Sequence, residues 1–160
     1  MSGHELRLAL ADERETRALG GKLATTLDDG LVVFLSGDLG AGKTCLVRGV
    51  LQALGFKGAV KSPTYTLVED YSLAGRIIYH FDLYRLHDPE ELDLIGVRDY
   101  FDGQACCFVE WPEKGEGWLP MADLEVHITH KGQAREARLT SYTDKGSRIV
   151  DSLQEPRSTL

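Results

Sequence analysis

The chain has 160 residues, 42% of them apolar and 27% charged, with a formal net charge of −7. That length suits one domain with one core, and the acidic balance argues against tight binding to bare nucleic acid, whose affinity rests on Lys and Arg neutralising phosphates. No apolar run approaches the ~20 residues that cross a bilayer, and Met1-Ser-Gly-His-Glu-Leu-Arg has neither the basic start nor the apolar stretch of a secretion signal, so a cytoplasmic protein is expected.

Residues 4–10 alternate apolar and polar through Leu6, Leu8 and Leu10, which predicts a strand. Asp12 reads as an N-cap with Glu15 as its capping-box partner, and Ala18, Leu19, Leu23 and Leu27 mark one face of the following helix. Asp29-Gly30 turns the chain into Leu31–Ser36, a continuous apolar run rich in β-branched residues, as expected of a strand covered on both faces. The run leads into Gly37–Thr44, which reads G-x-x-x-x-G-K-[ST], the phosphate-binding P-loop. Glycines let successive N–H groups curl around one anion. Lys43 supplies a charge for the outer phosphates, and Thr44 a hydroxyl for Mg²⁺. Leu46, Val47, Val50, Leu51 and Leu54 then recur at helical spacing up to Gly55. The motif therefore stands in the strand–loop–helix setting it needs, with a helix N-terminus facing the anion.

Residues 61–66 are polar and Pro-punctuated, a loop. Residues 66–71 and 76–81 flank Ser72–Gly75 as a hairpin. Asp88-Pro89-Glu90-Glu91 starts a helix that should stop near Gly96, and a short second helix covers 97–101. Residues 105–109 form another apolar strand ending at Glu110-Trp111-Pro112, and 112–120 should be irregular. Residues 123–130 and 135–141 alternate around Lys131-Gly132-Gln133, a second hairpin. Cys45, Cys106 and Cys107 are odd in number and form no C-x-x-C pair, so reduced packing thiols are expected. From Asp144 the chain is polar and aperiodic. The resulting expectation is an α/β fold: a mostly parallel P-loop sheet flanked by helices, with an antiparallel hairpin extension. It comprises a single domain over 1–143 and a frayed or disordered polar tail over 144–160.

A P-loop enzyme needs an acid beside Thr44 to hold the metal, usually at the end of a neighbouring buried strand. Asp82 and Glu110 each end an apolar strand, and sequence alone does not separate them. Thr64 and Thr66 lie where nucleotide-sensing loops often follow the P-loop helix. Arg85, Arg98 and Arg135 could serve as transition-state cations, although solvated surface charge is the favoured reading of each. His80 alternates with apolar neighbours and reads as a packed core histidine. The chain contains no asparagine, so the guanine-reading N-K-x-D box is absent and adenine is the expected base. Asp93-Leu-Ile-Gly96 matches D-x-x-G but falls in a predicted helix and follows no strand.

Gly37–Thr44, Ser62–Glu69 (S-P-T-Y-T-L-V-E), His80–Arg85 (H-F-D-L-Y-R), Asp88–Leu92 (D-P-E-E-L) and Val109–Pro112 (V-E-W-P) occur in an order and spacing that resemble the bacterial TsaE (YjeE) family, from about residue 5 to 141. The resemblance implies an ATPase of tRNA threonylcarbamoyladenosine biosynthesis, with ATP and Mg²⁺ as cofactors. It implies that Thr44 and Glu110 hold the metal and that Asp82 positions water. Gly40, Ala41, Gly42, Lys43, Thr44 and Cys45 would form the phosphate cradle, with no particular consequence expected of Cys45. Thr64 would belong to a switch-like loop, Trp111 would shape the site or a partner surface, and Arg135 would come to the nucleotide. Glu13 would lie near the base. The implied partners are the TsaD and TsaB subunits. TsaD modifies adenosine 37 of tRNAs that read ANN codons, so tRNA would be met only through the complex and no membrane is involved. A small-molecule kinase with Asp82 as base, and a nucleotide-gated binding module, are the alternatives that the P-loop alone leaves open.

Overall fold

The computed structural model describes residues 5–154 other than Asp28, Lys61 and Thr64. Seven strands carry the fold: β1 (Glu5–Leu10), β2 (Val32–Gly37), β3 (Val68–Leu73), β4 (Arg76–Asp82), β5 (Cys106–Glu110), β6 (Leu124–Lys131) and β7 (Ala134–Ser141). They form one sheet in the order β1-β7-β6-β2-β5-β4-β3. The two most apolar runs, β2 and β5, pair in parallel at its middle, as strands covered on both faces should. Parallel pairing continues from β2 to β6 and from β5 to β4. The two hairpins then close the sheet antiparallel on both margins, β3 against β4 on one side and β7 and β1 beyond β6 on the other. The parallel centre is thus extended at both edges.

Alternation along β4 and β5 splits the core in two. Ile78, Cys106 and Phe108 join the larger apolar cluster with α1 (Glu13–Ala24), α2 (Lys43–Ala53) and Ile149 and Val150 of α5 (Asp144–Gln154). Phe81, Cys107 and Val109 point the other way. They pack with Leu83, Leu86, Leu92 and Val97, the last two from the short helices α3 (Glu91–Leu94) and α4 (Val97–Tyr100). Burial pushes the Cys107 thiol up to about 12 and raises that of Cys106. Both therefore pack as thiols, as the sequence suggests.

Helix α1 starts as expected: the Asp12 carboxylate accepts from the Glu15 N–H at 3.1 Å, and the Glu15 carboxylate accepts from the Ala11 N–H at 2.7 Å. Leu19 and Leu23 are buried, whereas Ala18 faces solvent. The helix lies so close to α2 that two glycines are obligatory. A Cβ on Gly20 would stand 2.2 Å from the Leu46 carbonyl oxygen, and one on Gly49 would stand 2.1 Å from that of Arg17. This contact fixes the start of α2, where the P-loop ends. Exchange of Gly49 for alanine is expected to cost about 1–3 kcal/mol by overpacking. The helix-propensity gain of up to ~1 kcal/mol does not offset it, because the clashing atom is backbone. Thermal melting should register a fall of about 2–12 °C; an unchanged melting temperature would show that the helices separate freely.

Residues 144–154, expected as a frayed helix or a disordered tail, form α5. The Thr143 carbonyl accepts from the Ser147 N–H at 2.9 Å, and its hydroxyl accepts from the Gly146 N–H at 3.3 Å. Gly146 permits an approach in which a Cβ would meet the Asp123 carbonyl at 1.9 Å. Ile149 and Val150 enter the core and Leu153 packs against it. One cap and three apolar side chains thus dock a helix whose composition reads as polar. Residues 155–160 lie outside the described residues.

Candidate nucleotide site

The site forms where β2, β4 and β5 end together and α2 begins. Gly42, the residue before α2, has φ of +118°, a conformation open to glycine at little cost. No side chain caps α2 and its first turn carries no acid. Its first N–H groups have no intrahelical acceptor, so they and the positive end of the helix dipole are available to an anion. Lys43, the first residue of the helix, is 4% exposed. Its ammonium donates to the Gly37 carbonyl at 2.6 Å and lies 3.6 Å from the centroid of the Trp111 ring. Burial lowers its pKa, opposed chiefly by the charge of Glu110 and then of Asp82. Trp111 is held at this angle by a left-handed backbone, φ +59°, directly after β5, and its ring also meets Tyr84 at 5.2 Å.

Parallel register sets Asp82 and Glu110 side by side on the strand ends. Both are almost fully buried, which is costly for carboxylates unless they are hydrogen-bonded or opposed by charge. The two acids have different company. Glu110 Oε2 accepts from the Thr44 hydroxyl at 2.8 Å and from His80 Nε2 at 2.6 Å. Asp82 accepts from the Ser62 hydroxyl at 3.2 Å and from the Tyr84 N–H at 3.0 Å. The tie between the two acids is resolved in space: Glu110 adjoins the P-loop hydroxyl, and Asp82 stands one strand away beside the loop at residue 62.

These groups open onto a cleft of about 290 Å³ lined by Glu13, Leu39, Gly40, Gly42, Lys43, Thr44, Cys45, Arg48, Ser62, Asp82, Tyr84, Glu110 and Trp111. Most of the residues expected at the site therefore meet there. Cys45 donates its thiol to the Glu13 carbonyl at 3.5 Å, and burial raises its pKa, so it is a wall rather than a reactive group. Ala41 is fully buried and does not line the cleft. Nor does Arg135 line it. Its Nε donates to the Ala41 carbonyl at 2.9 Å, and its Nη1 donates to the carbonyls of Gln133 and Ala134. The register of β7 spends this guanidinium on bracing the P-loop backbone. Thr64 lies outside the described residues.

Three contributors escaped the sequence reading. Arg48 reaches the cleft because it stands four residues after Thr44, on the same face of α2. Tyr84 follows Asp82 by two residues and turns its N–H back to that carboxylate. His80 shares the Asp82 face of β4 by the period of two, a signal visible in the sequence but equally typical of a core position.

Thr44 and Glu110 offer two hard oxygen donors beside the helix start. Among the described residues, no group of three or more His, Cys, Asp or Glu side chains is arranged to hold a metal. Mg²⁺ needs no such cage, since it keeps waters and takes phosphate oxygens alongside one or two protein ligands. The donor pair fits that habit.

Comparison with known proteins bears on the same region. The family model described as "Threonylcarbamoyl adenosine biosynthesis protein TsaE" matches residues 10–138. The tRNA threonylcarbamoyladenosine biosynthesis protein TsaE of Haemophilus influenzae is 50% identical over 148 residues, covering 89% of this chain and 94% of that protein. The protein of the same name from Bacillus subtilis is 37% identical over 144 residues, covering 90% and 89%. The crystal structure of YdiB from Bacillus subtilis superposes with a TM-score of 0.82 at 30% identity, over 96% of each chain.

Proposed function

We propose a function from one premise: this chain belongs to the TsaE family of threonylcarbamoyl adenosine biosynthesis proteins. Its role lies in the formation of threonylcarbamoyladenosine in tRNA. Among its described residues, no helix is long and apolar enough to cross a membrane. The finer reading is a Mg²⁺-dependent ATPase that works in the cytoplasm with the TsaD and TsaB subunits, meets tRNA only through them, and supports repeated turnover without itself transferring the threonylcarbamoyl group.

The contact between Thr44 and Glu110 at the head of the P-loop helix carries this reading. The helix N–H groups and the Lys43 ammonium would bind and orient the phosphates of ATP. Lys43 must leave the Gly37 carbonyl and the Trp111 face to do so, giving up a cation–π contact of about 0.5–2 kcal/mol for a charge-assisted one. Thr44 and Glu110 would hold the Mg²⁺, whose contribution is to offset charge that develops on the phosphate oxygens. Asp82, tied to Ser62 and Tyr84, would accept a hydrogen bond from an attacking water. Trp111 and Tyr84 would limit bulk water on that side of the cleft. Arg135 keeps Ala41 in place, so it shapes the loop without touching phosphate.

Hydrolysis measured with Mg²⁺ should be slow for the chain alone and faster with the TsaD–TsaB pair, because the cleft is open and lacks an arginine reaching across it from the C-terminal hairpin. Full-speed hydrolysis alone, unchanged by the pair, would refute partner activation. Transfer of the γ-phosphate to an acceptor, rather than its release, would favour a kinase.

A further inference from the structure

His80 has no exposed surface and belongs to no expected role. It sits in mid-β4 opposite Phe108, with apolar Ile78 two residues back on the same face. A buried histidine normally satisfies both ring nitrogens. Here Nδ1 has no hydrogen-bond partner among the described residues. An apolar residue of similar size would avoid that cost, so packing alone does not account for an imidazole at this position. The other nitrogen does: Nε2 lies 2.6 Å from Glu110 Oε2. A carboxylate accepts only, so the ring N–H donates.

Glu110 Oε2 thus receives two donors, the His80 ring from one side and the Thr44 hydroxyl from the other. The two contacts fix the carboxylate within one plane of approach. They also orient Thr44: with its proton committed to Glu110, its oxygen lone pairs face away from the acid. Glu110 Oε1 accepts no hydrogen bond from a described residue. The pair stands ready in the arrangement a hard cation takes, without that cation having to order it.

We propose that His80 is a positioning residue for the Thr44–Glu110 pair, holding Glu110 through Nε2–H so that a divalent cation binds a preformed site. The inference rests on the reading of that pair as a metal site. Carboxylate ligands held by outer hydrogen bonds lose roughly 10–100-fold in metal affinity when the outer partner is removed.

The test is Mn²⁺ binding in the presence of ADP, followed by the loss of the free-ion electron paramagnetic resonance signal, with ADP affinity in chelator measured alongside. His80→Leu should weaken Mn²⁺ binding roughly 10–100-fold while metal-free ADP affinity stays within about twofold. His80→Gln, whose amide N–H reaches toward the same oxygen, should recover most of the loss. Equal Mn²⁺ affinity in wild type and His80→Leu would overturn the inference. So would His80→Leu and His80→Gln losing metal-free ADP binding together with Mn²⁺ binding, which marks a structural role. If His80→Leu does not fold, a folded His80→Gln with near-wild-type Mn²⁺ affinity supports the inference, and one that has lost it with ADP affinity intact overturns the hydrogen-bond account. Failure of the wild type itself to bind Mn²⁺ with ADP would instead defeat the metal-site reading.

Discussion

Exchange of Glu110 for glutamine is expected to lower ATP hydrolysis by about two to three orders of magnitude, the scale of removing one preorganised electrostatic contact at a transition state. The isosteric amide makes the result interpretable. Its carbonyl oxygen can accept from both Thr44 and His80, the two donors that now meet at Oε2. The buried network is preserved and only the charge is lost, which the proposed Mg²⁺ would require. Nucleotide affinity in chelator should be unchanged, because Glu110 faces the hydroxyl of Thr44 rather than the N–H groups at the helix start. The same exchange removes the largest charge that opposes the effect of burial on Lys43. The Lys43 pKa should therefore fall further, and nucleotide binding by the variant should weaken at lower alkaline pH than in the wild type. A variant that hydrolyses ATP normally would show that Glu110 caps a strand and nothing more.

The second large effect is expected at Lys43. Its ammonium donates to the Gly37 carbonyl, lies against the Trp111 ring and feels the charges of Glu110 and Asp82. Replacement by alanine removes a charged hydrogen bond worth about 1.5–3 kcal/mol, equivalent to roughly 10- to 150-fold in ATP affinity. It also leaves the buried Glu110 and Asp82 without that counter-charge. Calorimetric titration with ATP reads the first consequence directly. Retention of wild-type affinity would place phosphate recognition entirely in the backbone.

Local features of the fold are legible in the sequence because their causes are local. The P-loop needs its glycines, its Lys43 and its flanking strand and helix within one short segment, and all lie in one stretch. The capping box at Asp12 and Glu15 is likewise complete within four residues. Register is different. Asp82 and Glu110 end similar strands, and nothing in either segment says which one meets Thr44. That answer comes from parallel pairing between β2, β5 and β4, a long-range property. His80 shows the same limit: alternation places it on the Asp82 face, but a core histidine would carry the same pattern. The neighbours of Arg135 depend likewise on how β7 returns beside β6, which brings the guanidinium to the Ala41 carbonyl. Helix α5 was underestimated for another reason. Its few apolar residues dock against a core that only the folded sheet provides, and the close approach of Gly146 to the Asp123 carbonyl is a long-range contact.

The shared logic of the site is that buried polar groups are placed before any ligand arrives. Thr44, Glu110 and His80 form one chain of hydrogen bonds, and Asp82 forms another with Ser62 and Tyr84. In the proposed ATPase, such preorganisation would reduce the reorganisation that the transition state requires. It also explains why the site depends on β4 and β5 in parallel register and not on the loop alone.

The central claim, that ATP turnover at this site sustains tRNA modification, is tested most directly by counting threonylcarbamoyladenosine formed per TsaD in a reaction reconstituted with TsaD, TsaB, substrate tRNA and ATP. Wild-type chain is predicted to support several products per TsaD, and the Glu110→Gln chain to stall near one. Equal yields from the two, with hydrolysis abolished in the variant, would contradict the claim and reduce ATP to a bound ligand.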